Sequence, residues 1–438
     1  MKTPASNHGQ ISAKKREIFG WAMYDVANSA YTTVIITVVF SVFFVSTIVP
    51  QGHNANTLWA LAISLSSLIA LILSPFIGVL CDLSGHKKAY LIISTLICSL
   101  FTSLLFFVGP GDVWLAIGVI VISNTAWMIG ESICASFLSD ISSKKNMGLI
   151  SGIGWGVGYL GGLVSLAVVM FVILAGVDKA SIQEQIAMNQ NAMLFIAAFF
   201  ILAALPTFIW VKNRIKPTQK LTGKQVFKLG VKRLVNGAEL IKKYPQLFKF
   251  FIAFTVYMAG YAAIIKFVGI FANQALDLSS GQLITMFIFL QLSAFAGAIL
   301  FGFADKLIGP KKSILITLIW WVMGIYTIYS IEAVASILGT DPKTAFTYLA
   351  LVIGLALGAT QSSSRAVVGM LTKNEDSAMM FGFWGMFNRT AILLGMSYGF
   401  VADIIGLQSA LLLIIVFFVV GGLLFLRVDI KKGIEQAK

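Results

Sequence analysis

The feature that most constrains this 438-residue chain is a succession of apolar runs, each long enough to span a bilayer core. A spanning helix needs about 20 mostly apolar residues. Runs of that kind fall at roughly 21–49, 57–80, 89–109, 113–138, 148–176, 191–211, 248–273, 281–304, 313–335, 346–371, 378–405 and 408–427. Six precede and six follow one long basic segment, Lys212 to Lys249. In lipid every backbone N–H and C=O must be satisfied within the segment, so such runs fold as helices. The expected class is an all-α integral membrane protein with twelve transmembrane helices in two six-helix bundles.

Composition excludes a soluble chain: 58% of residues are hydrophobic and only 11% charged. The net charge of +14 therefore speaks to topology and not to nucleic acid, because loops on the cytoplasmic side collect Lys and Arg. Placing the N-terminus inside puts Lys2, Lys14, Lys15 and Arg16 in the tail. Lys87, Lys88, Lys144, Lys145, the connector's bases, Lys306, Lys311, Lys312 and Lys373 then fall in inner loops, and Lys179 and Lys343 in outer ones. Both termini are expected in the cytoplasm, in the cell (inner) membrane. The basic start before Ile18 looks like a signal peptide, but the apolar stretch to Val49 is too long for one and should remain as the first helix.

The expected division is a tail over 1–16, a bundle over 17–211, a connector over 212–247, a second bundle over 248–427 and a tail over 428–438. Within the connector, Phe227, Val231, Leu234, Ala238 and Ile241 recur at helical spacing among lysines. That pattern reads as one amphipathic helix on the inner membrane surface, drawn to anionic headgroups. Cys81, Cys98 and Cys134 have no paired spacing and read as packing residues; neither they nor His8, His53 and His86 form a ligand set, so no metal or cofactor is expected.

Ionisable groups inside a bilayer are costly unless paired or wetted, so they mark cavities or relays. Asp25 lies in the first run, Glu131 in the fourth, Lys266 in the seventh, Arg365 in the tenth, and Arg389 and Asp403 in the eleventh, while the interiors of the third, sixth, ninth and twelfth carry none. A period of three fits bundles built from three-helix repeats whose first members line a central cavity. At about 1.5 Å per residue, Arg389 lies about 16 Å inside Ala378 and Glu131 about 13 Å from Asp140. Arg389 is thus expected to bind an anionic group through its planar fork. Glu131 is the expected proton carrier; Asp25, only about one or two turns from the inner surface, is either a second carrier or an interfacial structural acid. The alternative is that Glu131 and Arg389 take part in structural ion pairs. Asn28, Tyr31, Asn124, Gln361, Lys266 and Asn388 are the further candidates for contact with a polar solute.

After the second run of each half comes a matching hairpin: Gly78, Asp82, Gly85, Lys87 and Lys88 in the first, Gly302, Asp305, Gly309, Lys311 and Lys312 in the second. Asp82 and Asp305 could each cap a neighbouring helix start, with the lysines at the inner surface, so that the hairpins latch the two bundles. The fifth run, with Gly148, Gly152, Gly154, Gly156, Gly158, Gly161 and Gly162, suits close helix packing. No enzyme motif is present.

These residues resemble the major facilitator superfamily, whose Gly-x-x-x-Asp-Arg-x-Gly-Arg-Lys signature the first hairpin follows, with Leu83 and His86 in place of the two arginines. A narrower likeness is to the vacuole-effluxer branch, which comprises autophagy-related vacuolar amino-acid exporters and their bacterial relatives. It rests on Trp21-Ala-Met-Tyr24-Asp25-Val-Ala27-Asn28-Ser29, on Gly154-Trp155-Gly156-Val-Gly158-Tyr159-Leu-Gly161-Gly162, on Gln361-Ser-Ser-Ser364-Arg365, and on Phe381-Gly382-Phe383 with Asn388-Arg389. One departure stands in the seventh run, where relatives often carry Tyr-Asn-Asp-Gly and this chain has Tyr257-Met258-Ala259-Gly260, then Lys266. The resemblance implies alternating-access transport of a small polar solute, most plausibly amino-acid efflux, with a proton or another ion as coupling partner and a monomeric protein. Two alternatives stay open: a transporter of a larger hydrophobic or metal-chelate solute, and a non-transporting receptor or scaffold that uses the basic connector.

Overall fold

The computed structural model describes residues 13–50, 55–176, 180–214, 223–235, 237–278 and 280–437. The tail before residue 13, His53, Lys179, Lys216 and Lys220 lie outside the described residues. The described chain is helical throughout. Helix α1, Lys15–Tyr31, continues through wider π turns to Ile48. Then follow α2 (Ala55–Ser84), α3 (Lys87–Leu104), α4 (Val113–Ser136), α5 (Met147–Val168) and α6 (Ile182–Trp210). The connector holds α7 (Gly223–Val235) and α8 (Gly237–Lys243). The second half comprises α9 (Pro245–Gln274), α10 (Ser280–Ile308), α11 (Pro310–Tyr329), α12 (Pro342–Met370), α13 (Ser377–Gly395), α14 (Ser397–Ile405), α15 (Leu407–Leu426) and α16 (Ile430–Gln436).

Local chemistry sets the helix ends. Pro245, Pro310 and Pro342 open α9, α11 and α12, where a missing N–H costs nothing. Ser181 and Glu184 form a reciprocal capping box at the start of α6. Gly85 and Gly309 turn the two hairpins with φ of 69° and 82°, a left-handed conformation that glycine adopts without a Cβ clash.

Among the described residues, eleven helices are long and apolar enough to cross a membrane. The expected run over 378–405 is carried by two pieces, α13 and α14, separated only by Met396, whose own backbone is helical. Two hydrophobic cores form, one mainly from α1–α6 and one mainly from α9–α15. The halves meet where α10 packs on α5, α13 on α2 and α4, and α12 on α5.

One expectation changes and one gains detail. The connector is helical over Gly223–Val235 and Gly237–Lys243, and α7 turns part of its apolar surface to the protein: Phe227 meets Phe76 edge-on at 5.3 Å and Gly230 packs against Leu80 and Phe76. Lys87 is not a surface lysine. It is buried with its ammonium 3.2 Å from Asp140 Oδ2 and donates to Ser377 Oγ, because the start of α3 meets the short helix Leu138–Ile141 and the first residue of α13.

Candidate functional site

The glycines of α5 bring helices from the two halves into near contact. A Cβ at Gly152 would strike the Ala298 carbonyl, and one at Gly156 would lie 2.9 Å from Ile299. This proximity lets polar side chains of one half reach the other, and they do so mostly toward the end of the molecule that carries the lysine-rich loops, the basic end.

One buried cross-bundle contact joins α1 to α12. Arg365 Nη2 lies 2.9 Å from Asp25 Oδ2, and Nη1 donates to Asp25 Oδ1 at 3.1 Å. Its Nε donates to Ser151 Oγ at 3.1 Å and Nη2 to the Ser151 carbonyl at 2.9 Å, both on α5. The guanidinium also lies over the Trp21 ring at 4.7 Å and the Trp155 ring at 5.3 Å, a favourable place for a desolvated cation. Gly154 makes room: a Cβ there would collide with Asp25 Oδ2 and stand 2.7 Å from Arg365 Nη2.

A second pair joins α4 to α13. Arg389 Nη2 lies 3.1 Å from Glu131 Oε2 and donates to the Met128 carbonyl at 3.2 Å, while Nη1 donates to Gly385 O at 2.9 Å. Arg389 is 1% exposed. The expected anion site and the expected proton carrier are therefore each other's partner in this state.

The other candidates divide. Asn28 and Gln361 are buried, and the Oδ1 of one and the Oε1 of the other have no hydrogen-bond partner. Tyr31 is spent within the first bundle, bonded to Ser123 at 2.8 Å and stacked on Trp127. Asn124 is likewise committed, donating to Ser66 at 2.7 Å. Lys266 is exposed on α9, and Asn388 is half-buried.

At the basic end Asp82 accepts from the N–H groups of Ala378 at 3.1 Å and Met379 at 2.7 Å, capping the start of α13 across the bundle boundary. Asp305 accepts from Ser363 at 3.0 Å and sits against Gly148 at the start of α5. Lys311 donates to the last carbonyl of α15, Leu426, at 2.8 Å and to Val428 just beyond it at 2.6 Å; Lys312 is exposed, and the Lys88 amide donates to Asn213.

Sequence reasoning missed two features here. Lys144 donates to the carbonyls of Gly369 at 3.0 Å, Met370 at 2.5 Å and Thr372 at 3.0 Å, closing the C-terminus of α12 with a residue of the other half. Burial pushes its ammonium down to about 8. Asp376, before α13, takes Lys243 at 2.5 Å and the Tyr244 hydroxyl, which ties the connector to the same gate. Burial, and after it the hydrogen bond to Asp376, raises the Tyr244 hydroxyl above the usual phenol range.

Comparison with known proteins agrees with this architecture. A family model described as "Vacuole effluxer Atg22 like" matches residues 47–148 and 139–438. The chain is 26% identical over 410 residues to an uncharacterized MFS-type transporter, YxiO, of Bacillus subtilis (strain 168), covering 92% of each chain. It is 22% identical over 423 residues to autophagy-related protein 22 of Pichia angusta, covering 85% of this chain and 75% of the other. Among solved structures it is similar to the major facilitator superfamily proton:xylose symporter XylE, with a TM-score of 0.68 at 11% identity over 93% of both chains.

Proposed function

The chain belongs to the vacuole effluxer Atg22-like family and is a multi-pass membrane transporter of the major facilitator superfamily, not an enzyme, and on that premise we propose that it exports a small polar solute, an amino acid, by alternating access. The observation that carries this reading is that two acid–base pairs, Asp25–Arg365 and Glu131–Arg389, cross the bundle boundary. Bundles that rock against each other must separate such pairs, and a buried charge parted from its partner needs a replacement. A substrate carboxylate at Arg389, or a proton on Glu131, supplies one. Substrate and proton thereby become the agents that release the contact, with Asp25 the second proton acceptor. α13 and α14 together form a twelfth span, the basic end and both termini face the cytoplasm, and the protein works as a monomer in the cell membrane. In this state the Asp82, Lys144 and Lys87 contacts hold the cytoplasmic end closed.

Counterflow in proteoliposomes with pooled labelled amino acids, with and without an imposed pH gradient, tests the proposal. Saturable exchange is expected, lost in Arg389→Ala, and no longer responsive to pH in Glu131→Gln. Absence of exchange from folded protein in every pool would overturn the amino-acid reading. Normal transport by both variants would overturn the assigned roles.

A further inference from the structure

The Asp25–Arg365 pair forms the floor of a polar layer. Four helices each add a residue one turn farther from the basic end than a residue already placed. On α1, Asn28 follows Asp25 by three positions; on α12, which runs the opposite way, Gln361 precedes Arg365 by four. On α5, Tyr159 follows Trp155, with ring centroids 5.8 Å apart. On α9, Tyr261 follows Tyr257, whose hydroxyl holds Ser364 at 2.8 Å. Side chains three or four positions apart share a helix face. The layer is therefore set by the contacts below it, and Tyr261 lies close to both Gln361 and Tyr159.

The hydrogen bonding of this layer is incomplete in a particular way. Asp25 Oδ2, Asn28 Oδ1 and Gln361 Oε1 are three buried oxygens without a hydrogen-bond partner, and the Trp155 Nε1 and the Tyr159 hydroxyl beside them are donors without one; Asp25 Oδ2 has an ion-pair contact to Arg365 at 2.9 Å, out of line for a hydrogen bond. Asn28, Asp25 and Gln361 are 7%, 8% and 9% exposed. A buried acceptor without a donor costs free energy, and three from two bundles, bordered by Trp21, Trp155, Tyr159 and Tyr261, match a cation with several donors, while the Trp155 Nε1 and the Tyr159 hydroxyl suit an acceptor on the same solute. A primary ammonium carries three donors and no acceptor, and it gains from aromatic faces. Arg365 already contacts both Asp25 oxygens, so an ammonium here shares that carboxylate with the guanidinium, which is held in place by Ser151.

We propose that Asp25, Asn28 and Gln361 form a subsite for the primary ammonium group of the transported solute, walled by Trp155, Tyr159 and Tyr261. This deepens the export reading and rests on it for the word "transported". The subsite itself makes a separate demand: the ligand must keep its amine.

The test is equilibrium binding to the full-length protein in nanodiscs, read by thermal shift and by displacement of a labelled amino acid found in counterflow. Three forms of that amino acid are compared: the parent, its carboxamide, which keeps the ammonium, and its N-acetyl derivative, which loses it. The parent and carboxamide are expected to bind, and the N-acetyl form to bind at least about tenfold more weakly, as for a lost bond to a charged group. Gln361→Leu and Asn28→Leu should each weaken the parent by about tenfold and leave the weak N-acetyl affinity unchanged. An N-acetyl form that binds as well as the parent overturns the subsite. So does a variant that is folded and binds the parent normally. If the variants do not fold, the comparison of the three forms on the unaltered protein decides. Counterflow of an amine-free solute would overturn the subsite and leave alternating access standing. Failure of counterflow with every amino acid, and of thermal shift with all three forms of leucine, would remove both.

Discussion

Arg365 and Asp25 are 340 positions apart, yet the guanidinium of one bonds the carboxylate of the other at 3.1 Å, both side chains buried. Their helices, α12 and α1, belong to different bundles, so the bond measures how the bundles sit. Neither charge is tolerable alone at such burial. Asp25→Asn or Arg365→Gln is expected to cost on the order of 3–5 kcal/mol, because one partner stays buried and unopposed. The double variant should recover most of that loss. Thermal melting of the four proteins checks it, and a double variant that melts no higher than the worse single would show that the two charges are not coupled.

Space for the pair is provided by Gly154. An alanine there has to displace Asp25, Arg365 or Trp21, each of which lies inside the radius of the added methyl. Gly154→Ala is expected to reduce exchange by at least about tenfold and to lower the melting temperature, since a small-to-large change in a packed site costs about 1–3 kcal/mol. Gly118→Ala on α4, where nothing lies within 4 Å, is the control and should behave as the unaltered protein. Equal effects of the two would remove the steric argument.

The sequence carries more of the fold than of the site, for a physical reason. Hydrophobic length is a local property, so the apolar runs announce their helices, and the Asp82 and Asp305 hairpins are visible because each is a compact local pattern. The run over 378–405 reads as one span in the sequence, and its division at Met396 into α13 and α14 shows only in the structure. Buried charges stand out against apolar neighbours, which is why Asp25, Glu131, Arg365 and Arg389 can be picked from the chain. Which acid meets which base depends on packing between bundles, and no local pattern encodes it. Tyr159 and Tyr261 are missed for the same reason: each is one aromatic among many until α5 and α9 are seen to face each other. Lys144 looks like any loop lysine until the end of α12 is found above it.

That lysine gives the gate a pH dependence with a definite sign. In the closed state burial holds the Lys144 ammonium at about 8, against an ordinary value of 10.5. If opening the basic end returns it to water, the open form binds the proton more tightly than the closed form. Below about 8 both forms are protonated and pH has no leverage; between about 8 and 10.5 the closed form alone has lost its proton, so raising pH through that window favours closure. Distances between spin labels across the basic end should shorten in population as pH rises from 8 to 10. Lys144→Arg, which stays charged throughout, should abolish the shift, and an unchanged pH response in that variant would assign it to another group.

Asp82 offers the complementary manipulation, because it removes closure without touching the central pairs. Its two oxygens take the first free N–H groups of α13, at Ala378 and Met379, and so cap a helix of the opposite bundle. An N-cap of this kind contributes about 0.5–2 kcal/mol, and here the whole of it favours the closed basic end, since α13 must leave Asp82 when the bundles part there. Asp82→Ala is therefore expected to raise the population open at the basic end by roughly two- to thirtyfold. Maleimide labelling of a single cysteine placed at Ser139, buried between the halves and beside Gly369, reads that population directly. Faster labelling in Asp82→Ala, with Asp82→Asn intermediate, is the expected order. Equal rates in all three would mean that the cap stabilises α13 itself and does not hold the gate.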